Sequence, residues 1–381
     1  MNFDFSEEQV MLRDSVARFI KEDYAFETRC SAVASQEGMS RETWQTFADL
    51  GWLSVPFAEE HGGFGGGAVD TMLVMEEFGK GLLAEPYLAT VLLFGGLIQK
   101  GGSQAQREAH IPKIIDGSRL GAFAYLERQS RFEMADVMTS AVKEGDHYRL
   151  NGEKVVVFNG GNADYLVVSA RTSGEQSDTQ GVSLFLVPAD IAGVSLLSYS
   201  MMDGQQVANL TFEDVQVPAA DLVGNLGEAS ALIESVVMEA NLGLAAEAVG
   251  IMGELNAKTL EYTKTREQFG VAIGSFQALQ HRMVETFMAY EQTKSLLYRA
   301  VCALSNGDED AAPVIHALKV MIDRAGKLVF GEAIQMHGGM GLTDDLDIGH
   351  YAKRLMMINT TFGNGDYHLG KFNALRYART D

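Results

Sequence analysis

A block of strand-forming sequence sits between two long helical stretches, and that order restricts the fold more than any other feature. From Gly121 to Gly227 the pattern is β-rich: Lys154-Val155-Val156-Val157-Phe158, Tyr165 to Ala170, Val182 to Val187 and Ala208 to Val217, separated by Gly, Pro, Ser and Asp. Tyr148-Arg149-Leu150 followed by Asn151-Gly152 predicts a hairpin ahead of the first run, because Asn-Gly readily takes the positive φ angles of a two-residue turn. Short strands with no helices between them imply an antiparallel sandwich or barrel, and they exclude a βαβ sheet.

Both flanks read as helix. Ser6 and Gln9 fit a capping box, with Leu12, Val16, Phe19 and Ile20 following at helical spacing. Further helical patterns cover about 41–51, 68–81 and 103–116, then 229–265, 276–304, 312–336 and a last helix from about 345. The expected division is a helical domain over 1–120, a β-domain over 121–227 and a helical bundle over 228–381. Gly63-Phe64-Gly65-Gly66-Gly67-Ala68 formally matches a dinucleotide fingerprint, but Glu59-Glu60-His61 interrupts any strand leading into it. A plain turn between helices is the better reading.

Charge narrows the partners. Among 381 residues, 30 Lys and Arg face 51 Asp and Glu, a formal charge of −21. Nucleic acid and anionic membrane surfaces are thereby disfavoured, since both require a distributed positive field. Cys30 and Cys302 form neither a disulfide framework nor a metal site, and no metal-ligand spacing occurs elsewhere. The acidic start lacks a signal-peptide pattern, and Tyr87 to Ile98 falls short of the ~20 residues that span a bilayer. A cytoplasmic protein without a membrane span is expected.

Three places carry candidate chemistry. In the 229–265 helix, Ile233, Val236, Ala240, Leu244, Ile251 and Leu255 form an apolar stripe, and Glu247 falls inside it. A carboxylate on a buried face is either a needed proton acceptor or half of a salt bridge to a neighbouring helix. Arg266-Glu267-Gln268-Phe269-Gly270, with Phe276-Gln277 beyond, gathers a cation, amides and rings suited to an aromatic, phosphate-bearing ligand. Gln335-Met336-His337-Gly338-Gly339-Met340-Gly341 ends a helix in glycines, which free backbone N–H groups and allow close approach.

Taken with Phe3 and Glu8-Gln9 at the start and Pro56 with Gly62-Gly63 and Gly65, these blocks resemble the acyl-CoA dehydrogenase family along nearly the whole chain. More narrowly, Glu127-Arg128-Gln129-Ser130-Arg131, Ala135-Asp136-Val137 and Val167 to Thr172 resemble its pimeloyl-CoA dehydrogenase small-subunit and steroid side-chain branch. The resemblance implies a helical N-terminal domain, a middle antiparallel β-domain and a C-terminal four-helix bundle. It also implies FAD, an acyl-CoA substrate oxidised at its α,β-carbons, and electron transfer to an electron-transferring flavoprotein. A homotetramer, or a heterotetramer with a second such subunit, is the implied assembly.

By the same resemblance, Arg266, Gln268, Phe269, Phe276, Gln277, Gln335, His337, Gly338 and Gly339 are the expected FAD contacts. The catalytic base of the common branch corresponds to Gly363 and its second known location to Ala240, neither of which has a carboxylate. The branch resembled here carries Ala-Glu-x-x-Gly, matched by Ala246-Glu247-Ala248-Val249-Gly250. Glu247 is thus the expected base, with Glu239 in reserve. Where the family places Trp-x-Thr against the flavin ring, this chain has Val156-Val157-Phe158. Two further readings stay open: a non-catalytic subunit that completes a partner's flavin site, and a flavin-dependent monooxygenase.

Overall fold

The computed structural model describes residues 5–377; Phe3 of the opening pattern lies outside them. Helix α1 (Glu7–Glu22) starts at the expected capping box, Ser6 and Gln9 each accepting the other's backbone N–H, at 3.2 and 3.1 Å. Helices α2 (Phe26–Ala34), α3 (Arg41–Asp49) and α4 (Ala68–Gly81) follow. Leu88–Gly95 then forms a wide π-type helical stretch, fully buried, that runs into α5 (Gly96–Gly101) and α6 (Gln104–Ile115). The glycine cluster is the expected turn: Gly62 and Gly65 take positive φ, and Gly63 packs against the Phe57 backbone too closely for a Cβ.

The β-block comprises β1 (Gly121–Ala124), β2 (Ser140–Glu144), β3 (His147–Phe158), β4 (Tyr165–Arg171), β5 (Val182–Pro188), β6 (Val194–Ser200), β7 (Gln206–Pro218) and β8 (Leu222–Val223). They build one sheet in the order β6-β7-β3-β2-β4-β5-β8, with β1 alongside β4. Most pairs are antiparallel; β1 and β4 are parallel, Gly121 opposite Tyr165, because the β2–β3 hairpin intervenes and returns the chain in its original direction.

The expected hairpin turn at Asn151-Gly152 is displaced. β3 runs straight through those residues, and the turn lies at Gly145-Asp146 between β2 and β3. Asn151-Gly152 forms a bulge opposite β7 instead. Gly152 has φ +150° and sits where a Cβ would meet Thr139, while the Asn151 side chain is bridged to Asp214, bonding both its backbone N–H and its carboxylate. A positive-φ requirement is met by a bulge as well as by a turn.

Ala122, Leu150, Leu166, Val168, Phe185, Leu210 and Phe212 pack as the core of the sheet. Within it Lys154, fully buried, donates to Glu127, Ser169 Oγ and the Tyr125 carbonyl at 2.7, 2.9 and 3.2 Å. Glu127 accepts further bonds from the N–H groups of Met138 and Thr139. Every polar atom in this pair is answered, which is what makes such a burial tolerable.

The C-terminal helices are α7 (Ala229–Thr265), α8 (Gln277–Asn306), α9 (Ala311–His337), α10 (Asp347–Thr360) and α11 (Gly365–Tyr377), with a two-stranded ribbon, β9 (Glu267–Gln268) and β10 (Val271–Ala272), between α7 and α8. The single last helix expected from about 345 is broken at 361–364, where Phe362 and Gly363 take φ +58° and +125°. α7 is long and apolar enough to cross a bilayer, yet 83% of its most apolar window is buried within the protein.

All six stripe residues of α7 are buried, and from Ala240 to Met252 the helix is buried all round. Small residues make that possible. A Cβ on Gly250 would lie 2.0 Å from the Glu76 carbonyl, and one on Gly79 would lie 2.1 Å from the Glu247 carbonyl, so α4 and α7 cross backbone against backbone. Packing divides the chain differently from element type: one compact unit holds 1–29, 68–83 and 241–381, the other 30–67 and 84–240.

Candidate functional site

Glu247 owes its place to α7 and its partner to α10. Its two carboxylate oxygens accept from Arg354 Nε at 2.5 Å and Nη2 at 2.8 Å, and the two residues are 4% and 5% exposed. Eleven residues further on, Lys258 pairs with Asp347 at 3.0 Å, so the antiparallel helices α7 and α10 are riveted at two levels. The salt bridge to a neighbouring helix that the sequence left open is present. A general base must reach the proton it removes, and here both oxygens are turned to a guanidinium. Glu239, the reserve candidate, is half-exposed and bonded to Lys100 at 2.6 Å.

The two other base positions are closed. Ala240 offers no polar atom. Gly363 is more than vacant: a Cβ there would lie 2.4 Å from the Tyr367 ring and 2.8 Å from His368 Nε2, at a φ that side chains avoid. A carboxylate at 363 would have to displace the Tyr367 and His368 side chains of α11.

The expected FAD contacts gather at one end of the helical unit. Tyr262 stacks on the His337 ring at 4.3 Å and reaches the His337 carbonyl, joining the end of α7 to the end of α9. His337 Nδ1 donates to the Ala333 carbonyl at 2.8 Å, which fixes the orientation of its ring. Gln335, Gly338 and Gly339 are exposed beside it, and nothing lies within 4 Å of a Cβ built on either glycine.

The β9–β10 ribbon between α7 and α8 is largely exposed. Phe269 and Gly270, at φ +56° and +80°, form its tight turn. Phe269 is 94% exposed and meets Phe276 edge to face at 6.2 Å. Arg266, Gln268 and Gln277 are exposed as well, and Arg266 forms no ion pair among the described residues. From Tyr262 back to Glu247 is fifteen residues, roughly 22 Å along a helix. The nine expected contacts therefore cluster, and Glu247 stands apart from them.

In the sheet, Val156 bulges out of the β3–β7 ladder at φ +51°, its N–H taken by Asn209 Oδ1 at 3.1 Å. A β-branched residue in that conformation is strained. Phe158 is buried against Ala89 and Val207. Sequence reasoning noted the altered residues here and missed the strain. It also missed Arg354, which lies 107 positions from its partner.

Comparison with known proteins defines the class. Family models of the acyl-CoA dehydrogenase N-terminal, middle and C-terminal domains match residues 6–118, 122–215 and 231–373. The chain is 31% identical to the mitochondrial isovaleryl-CoA dehydrogenase of Bos taurus over 387 residues, covering 95% of this chain and 89% of that one. Among solved structures it superposes on the FAD complex of PigA with a TM-score of 0.92 at 25% identity, over 99% of each chain. It superposes also on the ChsE4-ChsE5 complex of Mycobacterium tuberculosis with a TM-score of 0.90 at 25% identity, over 100% of each chain.

The chain belongs to the acyl-CoA dehydrogenase family. Its cofactor is FAD. The residues present fit that group: an unpaired guanidinium, exposed amides, an exposed ring and two glycines facing open space. These suit a pyrophosphate and an aromatic base on a surface that this end of the helical unit leaves uncovered.

Proposed function

We propose that the chain works in the α,β-dehydrogenation of an acyl-CoA thioester as the flavin-completing member of a heterotetramer, with a second acyl-CoA dehydrogenase-like subunit supplying the base. The observation that carries this reading is the doubly bonded Glu247–Arg354 pair, with Ala240 and Gly363 at the two other base positions. The heteromeric ChsE4-ChsE5 complex among the structural neighbours supports it.

Bound FAD supplies the hydride acceptor. Arg266 and the amides of Gln268, Gln277 and Gln335 hold its phosphate-bearing end, the rings of Phe269 and Phe276 cover an aromatic face, and Gly338 and Gly339 allow their backbone to approach. The α-proton goes to the partner's carboxylate. Electrons leave to an electron-transferring flavoprotein.

The test is to purify the chain alone, record its visible spectrum with added FAD, and titrate it anaerobically with a panel of acyl-CoA thioesters. No bleaching of the flavin band is expected, and gentle isolation from the native source should yield a yellow complex with a second chain. Flavin reduction by the lone chain, abolished by Glu247→Gln at unchanged thermal stability, would restore Glu247 as the base.

A further inference from the structure

Helices α9, α10 and α11 enclose a group of ionisable side chains far in sequence from any expected cofactor contact. His316 of α9 and His368 of α11 meet Nδ1 to Nδ1 at 2.8 Å, their rings 5.1 Å apart. His368 is 1% exposed, and its Nε2 faces the backbone of the Phe362–Gly363 turn. One turn along α9, Lys319 is 2% exposed and donates to the carbonyls of Ile358 and Thr361 at 2.8 and 2.9 Å, closing the end of α10.

Two nitrogens at that separation share one hydrogen: one ring donates, the other accepts. The contact therefore exists while at least one ring is neutral. With both rings protonated, two N–H groups would point at each other. Burial and the neighbouring cations oppose even the first added charge, and they outweigh the backbone of Phe362 and Gly363, which favours a charge on His368. From α9 the neighbours are Lys319 and Asp323, the latter already paired with Lys327 at 2.8 Å; from α11 they are Lys371, which lies over the Tyr367 ring, and the exposed Asp366. α10 contributes backbone carbonyls, and they are occupied by Lys319.

We propose that the His316–His368 contact is an acid-sensitive latch that fastens α11, and with it the Phe362–Gly363 turn, onto α9. The latch is closed when the imidazoles are neutral, and undocking of α11 takes up two protons. Burial, assisted by Lys371, holds His316 down at about 4; burial, assisted by Lys319 and His316, holds His368 down at about 3. A base whose folded pKa is lowered is neutral in both states above its free value of about 6.5. Below that value the undocked form gains protons that the docked form refuses, so docking weakens as pH falls from 6.5 towards 4.

Two protons per opening make the opening constant rise about 100-fold per pH unit within that window. The experiment is hydrogen exchange with mass spectrometry on the full chain between pH 5.5 and 4.5, corrected for intrinsic rates. Peptides over 362–377 should show that rise, while peptides of α7 and of the sheet do not. His316→Asn and His368→Asn should each reduce it to about tenfold per unit. The wild-type measurement stands alone if a variant misfolds. A rise of tenfold or less in the wild type overturns the latch, as does the same pH slope across all of α7 and the sheet.

Discussion

Removing one partner of the Glu247–Arg354 pair separates a structural role from a catalytic one. The pair is buried and doubly bonded, at 2.5 and 2.8 Å, so Glu247→Met leaves a guanidinium in a closed interior. Breaking such a pair from one side costs about 3–5 kcal/mol. At roughly 2–4 °C per kcal/mol for a unit of this size, the melting temperature should fall by about 6–20 °C. Replacing both, Glu247→Met with Arg354→Met, removes the stranded charge and should recover most of that loss, because apolar substitutes of similar volume are often as stable as the buried pair. The assay is a double-mutant cycle in thermal or urea unfolding, with a coupling energy of about 2–4 kcal/mol expected. Additive effects, or a Glu247→Met variant that melts within about 2 °C of the wild type, would refute the reasoning.

Other expectations follow from the same geometry. Gly250→Ala puts a methyl group 2.0 Å from the Glu76 carbonyl and should destabilise by about 3 kcal/mol or more in urea unfolding, whereas Gly339→Ala faces open space and should stay within about 0.5 kcal/mol. Gly363→Glu, which restores the common-branch carboxylate, should lower the melting temperature and leave acyl-CoA oxidation unrescued, since its Cβ meets Tyr367 and His368. Phe269→Ala, at a position 94% exposed, should leave the unfolding midpoint unchanged and raise the dissociation constant for FAD in fluorescence titration. Burial alone would raise the Glu127 carboxyl, but the Lys154 charge and hydrogen bonds from Lys154, Gln129 and Thr139 bring it down to about 2. Its stabilising contribution is thus complete above about pH 4.5 and fades as pH falls towards 2, and Glu127→Gln should flatten that part of the acid-unfolding curve.

Long helices were legible because their periodicity is local. The bounds of α4, α7 and α9 follow from apolar spacing and glycine stops, all within the segment itself. Asn151-Gly152 misled because the requirement it signals, a positive φ, says nothing about whether the chain reverses there; β7, more than fifty residues away, decides that it does not. The break at 361–364 has no proline and depends on Lys319 capping α10 from another helix. The segments 266–277 and 335–341 stood out in the sequence because each follows or ends a long bundle helix, and Tyr262 and His337 bring the ends of those two helices, α7 and α9, together. Glu247 was correctly singled out as a buried carboxylate. Its partner was not readable, because the Arg354 guanidinium belongs to α10 and no pattern in α7 announces it.

The tight crossing of α4 and α7 also sets a timetable for synthesis. Met72, Leu73, Val74, Met75 and Phe78 are buried in the finished unit; α1, translated earlier, packs on the same helix, but the crossing at Gly79 and Gly250 waits for a helix translated roughly 160 residues later. At about 5–20 residues per second, that greasy surface waits on the order of 8–30 s after leaving the ribosome. During that interval it is a ready client for a holding chaperone, and slow codons between the two segments would lengthen its exposure.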